Sequence, residues 1–249
     1  MQSPARPPTV RRLFRRASAE ARAAALRFRN RRVFDVIAGV RSEHLTYSEP
    51  AALLDLADRV FELERRDSAG IVIEAGCAYG GSAILLTAAK RPSRPLDVYD
   101  VFGAFPPPSE RDERDAHQRY AVMASGEATW PGGEPFYGYV DDLQERVAAS
   151  FARHGVPVDA NNVRLVKGLY EETLAVDRPV ALAHIDCDWY DSVRVCLERI
   201  APMLEPGGVL VIDDYDDWAG CRKAVDDYFR GREGYRFERR ARLHVMRGS

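Results

Sequence analysis

Lysine is nearly absent, with only Lys90, Lys167 and Lys223 in 249 residues. Thirty-three of the 36 basic residues are therefore Arg, a bias that reads as genome composition rather than function. Cysteine is also scarce. Cys77, Cys187, Cys196 and Cys221 contain no C-x-x-C pair, which argues against a zinc ribbon or a disulfide framework and suits a reducing cytoplasm. No apolar run approaches the roughly 18–20 residues of a membrane span. No hydrophobic N-terminal segment with a small-residue cleavage site is present, so neither membrane insertion nor secretion is expected. Glycine spacing G-x-G-x-x-G is missing, and none of the three lysines completes Y-x-x-x-K, so a nicotinamide-dependent reductase has no support. The motif [D/N]-P-P-[Y/F/W] of amino-methylating nucleic-acid enzymes is missing too, its place taken by Asp186-Cys187-Asp188-Trp189-Tyr190.

What is present is a 46% apolar, 30% charged chain, enough to bury a sizeable core. Charge is unevenly spread. Residues 1–32 hold ten Arg against Glu20, a net +9, so the remaining chain carries −11 of the total −2. A basic arm (1–32) thus precedes an acidic body (33–249). From Thr9 the arm has helical character. It suits an oligomer contact or a solvated face first, an anionic surface or nucleic acid second, and a targeting peptide third.

The body alternates strand and helix. Strand candidates occur at 71–75, 96–100, 163–167, 180–186 and 208–213, several of them mostly apolar, with helical patterns at 80–90, 140–153, 191–204 and 218–230. This order argues for an α/β fold with a parallel sheet covered on both faces. A preceding helix is expected from Ser48 as N-cap and Pro50 in the first turn, with Leu53, Leu56, Ala57, Val60 and Leu63 as its buried stripe, and Gly70 as its stop. Pro206-Gly207-Gly208 is expected to stop the helix of 191–204. The segments 235–239 and 242–246 are placed to pair as an antiparallel hairpin. Residues 103–139 form an irregular insertion rich in Pro, Gly and aromatics, a length that usually marks function.

Two places carry chemistry. At the first strand–helix junction, Glu74-Ala75-Gly76-Cys77-Ala78-Tyr79-Gly80-Gly81-Ser82 lets the backbone approach a ligand closely. Asp100 ends the next strand, where an acid can accept from a ribose diol. Without a diphosphate cradle, this combination points to a nucleoside cofactor such as S-adenosylmethionine. The second place is a pair of strand ends, His184-Ile185-Asp186-Cys187-Asp188 and Ile212-Asp213-Asp214, joined by one helix. A right-handed crossover would set them side by side and bring Asp186, Asp213 and Asp214 together. Three crowded carboxylates require protons or a cation, and all-oxygen donors favour Mg²⁺ over Ca²⁺. Asp188 points into the same edge and is the first choice of base, with Asp186 as ligand and alternative proton acceptor. His184 reads as a core histidine before a catalytic one. Asp217 is expected to cap the helix from Trp218, Asp191 or Ser192 the helix before it, and Lys223 to reach toward the substrate. Trp130, Phe136, Tyr137, Tyr139 and Trp189 are candidate substrate walls.

These motifs, with Val98-Tyr99-Asp100-Val101-Phe102, Lys167-Gly168-Leu169-Tyr170-Glu171-Glu172-Thr173-Leu174 and Leu204-Glu205-Pro206-Gly207-Gly208, resemble the macrocin O-methyltransferase family in order, from about Thr46 to Tyr228. The resemblance implies a class I methyltransferase (Rossmann-like) fold. That fold has a seven-stranded, mostly parallel sheet, helices on both faces and an antiparallel terminal strand. It implies S-adenosylmethionine and Mg²⁺, and a deoxysugar hydroxyl on an antibiotic scaffold as acceptor. Carried over position by position, Glu74, Gly76 and Ser82 fall on the cofactor loop, Asp100 on the ribose acid, and Phe102, Gly168 and Leu169 beside the adenine. Thr46 and Tyr47 fall on the segment that closes over the methionine end, and Asp186, Asp213 and Asp214 on the metal ligands. The insertion 103–139 corresponds to the variable substrate region. A catechol-type O-methyltransferase acting on a non-sugar diol shares the metal logic, and a nucleic-acid methyltransferase using the basic arm is the other alternative. A homo-oligomer acting on a small glycosylated molecule, without membrane or nucleic-acid partners, is the expected setting.

Overall fold

The computed structural model describes residues 30–248, so the helix expected from Thr9 lies outside the described residues. Helix α1 (Arg31–Ser42) is capped by Asn30, whose side chain accepts from Val33 N at 3.4 Å. It buries Val33, Val36, Ile37 and Val40, the spacing of one helical face. Helix α2 (Pro50–Arg65) buries Leu53, Leu56, Ala57, Val60 and Leu63 as the sequence predicts. Its N-cap is Glu49, which makes no side-chain cap bond, rather than Ser48. Pro50 has no N–H to satisfy at this end, so one of the donors a cap would serve is already missing.

The alternation then runs β1 (Ile71–Ala75), α3 (Gly81–Ala89), β2 (Leu96–Asp100), α4 (Arg114–Ala124), α5 (Leu143–Arg153), β3 (Val163–Lys167), α6 (Tyr170–Thr173) and β4 (Val180–Ile185). It continues through α7 (Tyr190–Ile200), β5 (Leu204–Ile212), α8 (Ala219–Phe229), β6 (Tyr235–Arg239) and β7 (Leu243–Arg247). The seven strands form one sheet in the order β3-β2-β1-β4-β5-β7-β6. All pairs are parallel except those made by β7, which runs antiparallel between β5 and β6. Central strands β1, β2 and β4 are buried at every residue, whereas edge strands β3 and β6 are partly open. Burial on both faces accounts for the apolar runs in β1 and β4. One face packs against α1, α2, α3 and α5 through Val36, Leu53, Leu85 and Val147, and the other against α7 and α8 through Val193, Leu197 and Val225. Among the described residues, no helix is long and apolar enough to cross a membrane.

Two expectations are corrected. The helix of 191–204 ends at Ile200, and β5 begins at Leu204, before the Pro-Gly-Gly stop. Pro202 cannot donate to the turn before it, which ends the α-helix and leaves a 3-10 turn over Ala201–Met203. The insertion is less irregular than its composition suggests. It contains α4 and 3-10 turns at Pro131–Gly133 and Tyr137–Tyr139. Helix α4 buries only Ala116 and Met123, so it leaves no apolar period in the sequence.

Candidate active site

Strands β1 and β4 meet at a glycine. Asp186 N donates to Ala75 O at 2.8 Å, and a Cβ on Gly76 would sit 1.7 Å from Asp186 O. Gly76 also has φ +90°, so the position excludes a side chain on two grounds. The loop that follows is held by Asp100 at the end of β2. Its Oδ2 accepts from Cys77 N at 2.8 Å and Ala78 N at 3.3 Å, and its Oδ1 accepts from Phe102 N at 2.7 Å. Burial pushes the Asp100 carboxyl up, while these backbone donors from Cys77, Phe102 and Ala78 favour the anion.

A cavity of about 310 Å³ opens above this loop. Of the residues assigned to the cofactor, Thr46, Tyr47, Gly76, Ser82, Asp100 and Leu169 line it. Glu74, Phe102 and Gly168 lie behind the lining. Glu74 is fully buried on the sheet face, where it accepts from Ser82 Oγ and meets His184 Nδ1 at 2.9 Å. Phe102 is packed in the core at φ +44°. Gly168 N donates to Asp100 O at 3.0 Å and so joins the turns after β2 and β3.

The strand ends bring the acids together as the crossover requires. His184 pairs with Val211 and Ile185 with Ile212 in the parallel β4–β5 ladder. Asp186, Asp213 and Asp214 follow, and one carboxylate oxygen from each lies within 4.8 Å of the others. Asp188 joins them at φ +56°, its N–H donating to Asp214 Oδ2 at 3.1 Å. This left-handed conformation is one that Asp tolerates better than most residues.

The charges in this group are unequally balanced. His184 Nε2 lies 3.5 Å from Asp213 Oδ1, and Arg242 Nε donates to the same oxygen at 2.9 Å. Burial opposes a charged His184, yet Glu74 and Asp213 raise its pKa well above the ordinary value. Burial likewise opposes an ionised Asp213, but His184 and Arg242 hold it below the usual carboxylate range. Two cations thus answer Glu74 and Asp213. Among the described residues Asp186, Asp188 and Asp214 form no ion pair, although His184 favours the anion of Asp186 and Trp218 and Arg119 that of Asp188. Burial, then Asp213, pushes Asp186 well up; burial, then Asp188 and Asp186, does the same to Asp214; and burial, then Asp213, takes Asp188 to about 6. The oxygens of Asp186 and Asp214, crowded against Asp213 and without an ion pair of their own, fit a hard divalent ion, which would remove the repulsion that lifts them.

The cavity's other wall is aromatic. Tyr137 stands edge-on to Trp130 at 5.1 Å and to Phe105 at 5.3 Å, Phe105 meets Trp189 at 6.2 Å, and Trp189 meets Trp218 at 5.4 Å. Trp130, Phe136, Tyr137 and Trp189 line the space as expected. Tyr139 turns away, its hydroxyl donating to Met123 O at 2.6 Å. Lys223 does not reach the cavity: its Nζ sits 4.4 Å over the Tyr190 ring. The expected caps are also replaced. Asp217 bonds Arg242 at 3.2 Å, Trp189 and Trp218 occupy the cap positions of α7 and α8, and neither caps with its side chain. Arg242 and Arg119, both on the cavity wall, are not singled out by the sequence. Among 33 arginines, neither has a local signal that separates it from the rest.

The chain is similar to known proteins in sequence and in fold. The chain is 34% identical over 171 residues to the 8-demethyl-8-(2,3-dimethoxy-alpha-L-rhamnosyl)-tetracenomycin-C 4'-O-methyltransferase of Streptomyces olivaceus, covering 66% of this chain and 59% of that one. It is 32% identical over 174 residues to the mycinamicin III 3''-O-methyltransferase of Micromonospora griseorubida, covering 66% and 62%. It therefore spans about three fifths of the length of these relatives. The solved structure of the O-methyltransferase NovP superposes with a TM-score of 0.65 at 22% identity over 79% of each chain, a likeness of fold. The sheet order and helix placement are those of a class I methyltransferase. The sequence profile described as macrocin-O-methyltransferase (TylF) matches residues 50–235, and on that match the chain belongs to the macrocin-O-methyltransferase family.

Proposed function

We propose that the protein is an S-adenosylmethionine- and Mg²⁺-dependent O-methyltransferase acting on a hydroxyl of a deoxysugar carried by a natural product. The observation that carries this reading is the meeting of Asp186, Asp213 and Asp214 within 4.8 Å at the rim of the same cavity that the Gly76–Ser82 loop lines. The sugar as acceptor is argued from the tetracenomycin and mycinamicin relatives, whose names specify O-methylation, in the first case on a rhamnosyl compound.

When bound, S-adenosylmethionine supplies a methyl group already activated on sulfonium, and Mg²⁺ supplies a Lewis acid that favours loss of a hydroxyl proton. The chain's own residues do the rest. The Gly76 loop, Ser82 and Asp100 would seat the nucleoside, and Thr46 and Tyr47, which line the same cavity, would hold the methionine end. Asp186, Asp213 and Asp214 would hold the ion. Asp188, beside them, would take the proton from the acceptor oxygen. A vicinal diol, or a hydroxyl next to an ether oxygen, offers two oxygens to such a site. Trp130, Phe136, Tyr137 and Trp189 would orient the acceptor ring and exclude water. The four cysteines are free and buried, which suits a reducing cytoplasm.

Methyl transfer from labelled S-adenosylmethionine to glycosylated acceptors tests the reading, with catechol and RNA as competing acceptors. Transfer should occur to the glycosides, vanish after EDTA treatment and return with Mg²⁺. Asp213→Ala should abolish it while leaving S-adenosylhomocysteine binding mostly intact. Full rate in EDTA sinks the metal assignment, and transfer to catechol or RNA alone sinks the sugar assignment.

A further inference from the structure

The two loops that carry the carboxylates are tied to the insertion as well as to each other. The loop after β4 leads into α7, and the loop after β5 leads into α8. Neither helix supplies its own capping side chain. Acids of the insertion do so instead. Tyr190 N, at the start of α7, donates to Asp112 Oδ1 at 2.7 Å, and Ala219 N, at the start of α8, donates to Asp115 Oδ2 at 3.1 Å. Asp112 is 7% exposed, and its second oxygen accepts from Ser109 N at 3.0 Å. A Cβ on Gly220 would meet Asp112 Oδ1 at 2.1 Å and Tyr190 N at 3.2 Å. One carboxylate is therefore wedged between the first turns of both helices, with glycine leaving it room. A carboxylate at a helix start satisfies an orphan N–H and complements the dipole.

We propose that Asp112 and Asp115 are positioning residues that set the spacing between the loop of Asp186 and the loop of Asp213 and Asp214. The insertion is then part of the cation site's framework as well as a wall for the acceptor. This inference rests on the cation reading above. The buried Tyr190 N left without its acceptor is destabilising, and the part-buried Ala219 N would lose its cap, so each helix start stays where its insertion acid holds it. The ligands at 186 and 213–214 lie only four to six residues before those donors. Trp189 and Trp218 sit one on each loop with ring centroids 5.4 Å apart, so their emission reports on the spacing.

The test titrates Mg²⁺ into the full chain by calorimetry and tryptophan fluorescence, alongside S-adenosylhomocysteine. Asp115→Ala should weaken Mg²⁺ binding roughly tenfold, the usual scale for a residue behind a ligand, and change the tryptophan response. Asp115→Asn, whose amide oxygen still caps, should stay within about threefold of wild type. Gly220→Ala should weaken Mg²⁺ as Asp115→Ala does, although every carboxylate remains. Retained S-adenosylhomocysteine affinity in all three marks an intact fold. Wild-type Mg²⁺ affinity in Asp115→Ala, or an Asn variant as weak as the Ala variant, overturns the proposal while leaving the cation reading standing. Wild-type protein that binds no Mg²⁺ overturns both.

Discussion

His184 Nε2 lies 3.5 Å from Asp213 Oδ1, so the histidine near the end of β4 faces a proposed ion ligand just past the end of β5. Its other nitrogen is 2.9 Å from Glu74 Oε2, which makes it the bridge between the acid beneath the Gly76–Ser82 loop and the carboxylate cluster. Burial favours a neutral imidazole, but Glu74 and Asp213 hold it charged. Replacing it leaves Glu74 fully buried without a cation. His184→Leu should lower unfolding stability by about 3–5 kcal/mol, the scale for breaking a buried ion pair. Adding Glu74→Gln should recover part of that loss in a double-mutant cycle by urea unfolding. Equal stability of His184→Leu and wild type would mean that the bridge is uncharged.

Asp188 is assigned the proton transfer because it sits beside the ligands without being one of the three that converge. Asp188→Asn should lower kcat by roughly 100- to 10,000-fold, the range for removing a general base. Mg²⁺ affinity should change only a few fold. A normal kcat moves the base to Asp186 or His184.

Gly76 and Gly231 separate conformation from space. Both have positive φ, +90° and +71°, but a Cβ at Gly76 meets Asp186 O at 1.7 Å, while one at Gly231 meets nothing within 4 Å. Gly231→Ala should cost about 1 kcal/mol through its backbone alone. Gly76→Ala should cost on the order of 3 kcal/mol or more and weaken S-adenosylhomocysteine binding, because β1 and β4 must part. Melting and cofactor titration on both variants check this, and equal effects would refute the close approach as the reason for glycine.

His244 contributes one component of the pH dependence of stability on the acid side. Burial, with Arg59 and Arg240 nearby, pushes its pKa down to about 3, and Arg59 Nε donates to its Nδ1 at 2.8 Å. The unfolded chain protonates histidine near 6.5, so the native state gives up stability as pH falls from there toward 3. Between pH 7.5 and 5 that loss amounts to roughly 2 kcal/mol. The acid cluster titrates in the opposite sense, so the comparison is between wild type and His244→Gln, which still accepts from Arg59. The variant should lack this part of the decline in urea titrations at the two pH values, and parallel curves would contradict it.

Hydrophobic period and local chemistry were enough to place most elements within a few residues. The apolar runs within β1 and β4 reported burial on both faces, and the stripe of α2 reported one packed face. Acids following β4 and β5 were visible for the same reason: a parallel crossover delivers strand ends to one edge whatever the surrounding sequence. Partnerships over long sequence separations were not visible. Arg242 reaches Asp213 across 29 residues because β7 returns antiparallel beside β5. Asp112 and Asp115 cap helices 78 and 104 residues away, in place of the local caps that composition suggested. Local propensity acts over a turn or a strand, so the sequence alone determined where chain segments bend and which residues seek burial. Which charge meets which was decided only when the sheet brought distant segments within a hydrogen-bond length, where low dielectric and desolvation fix the outcome.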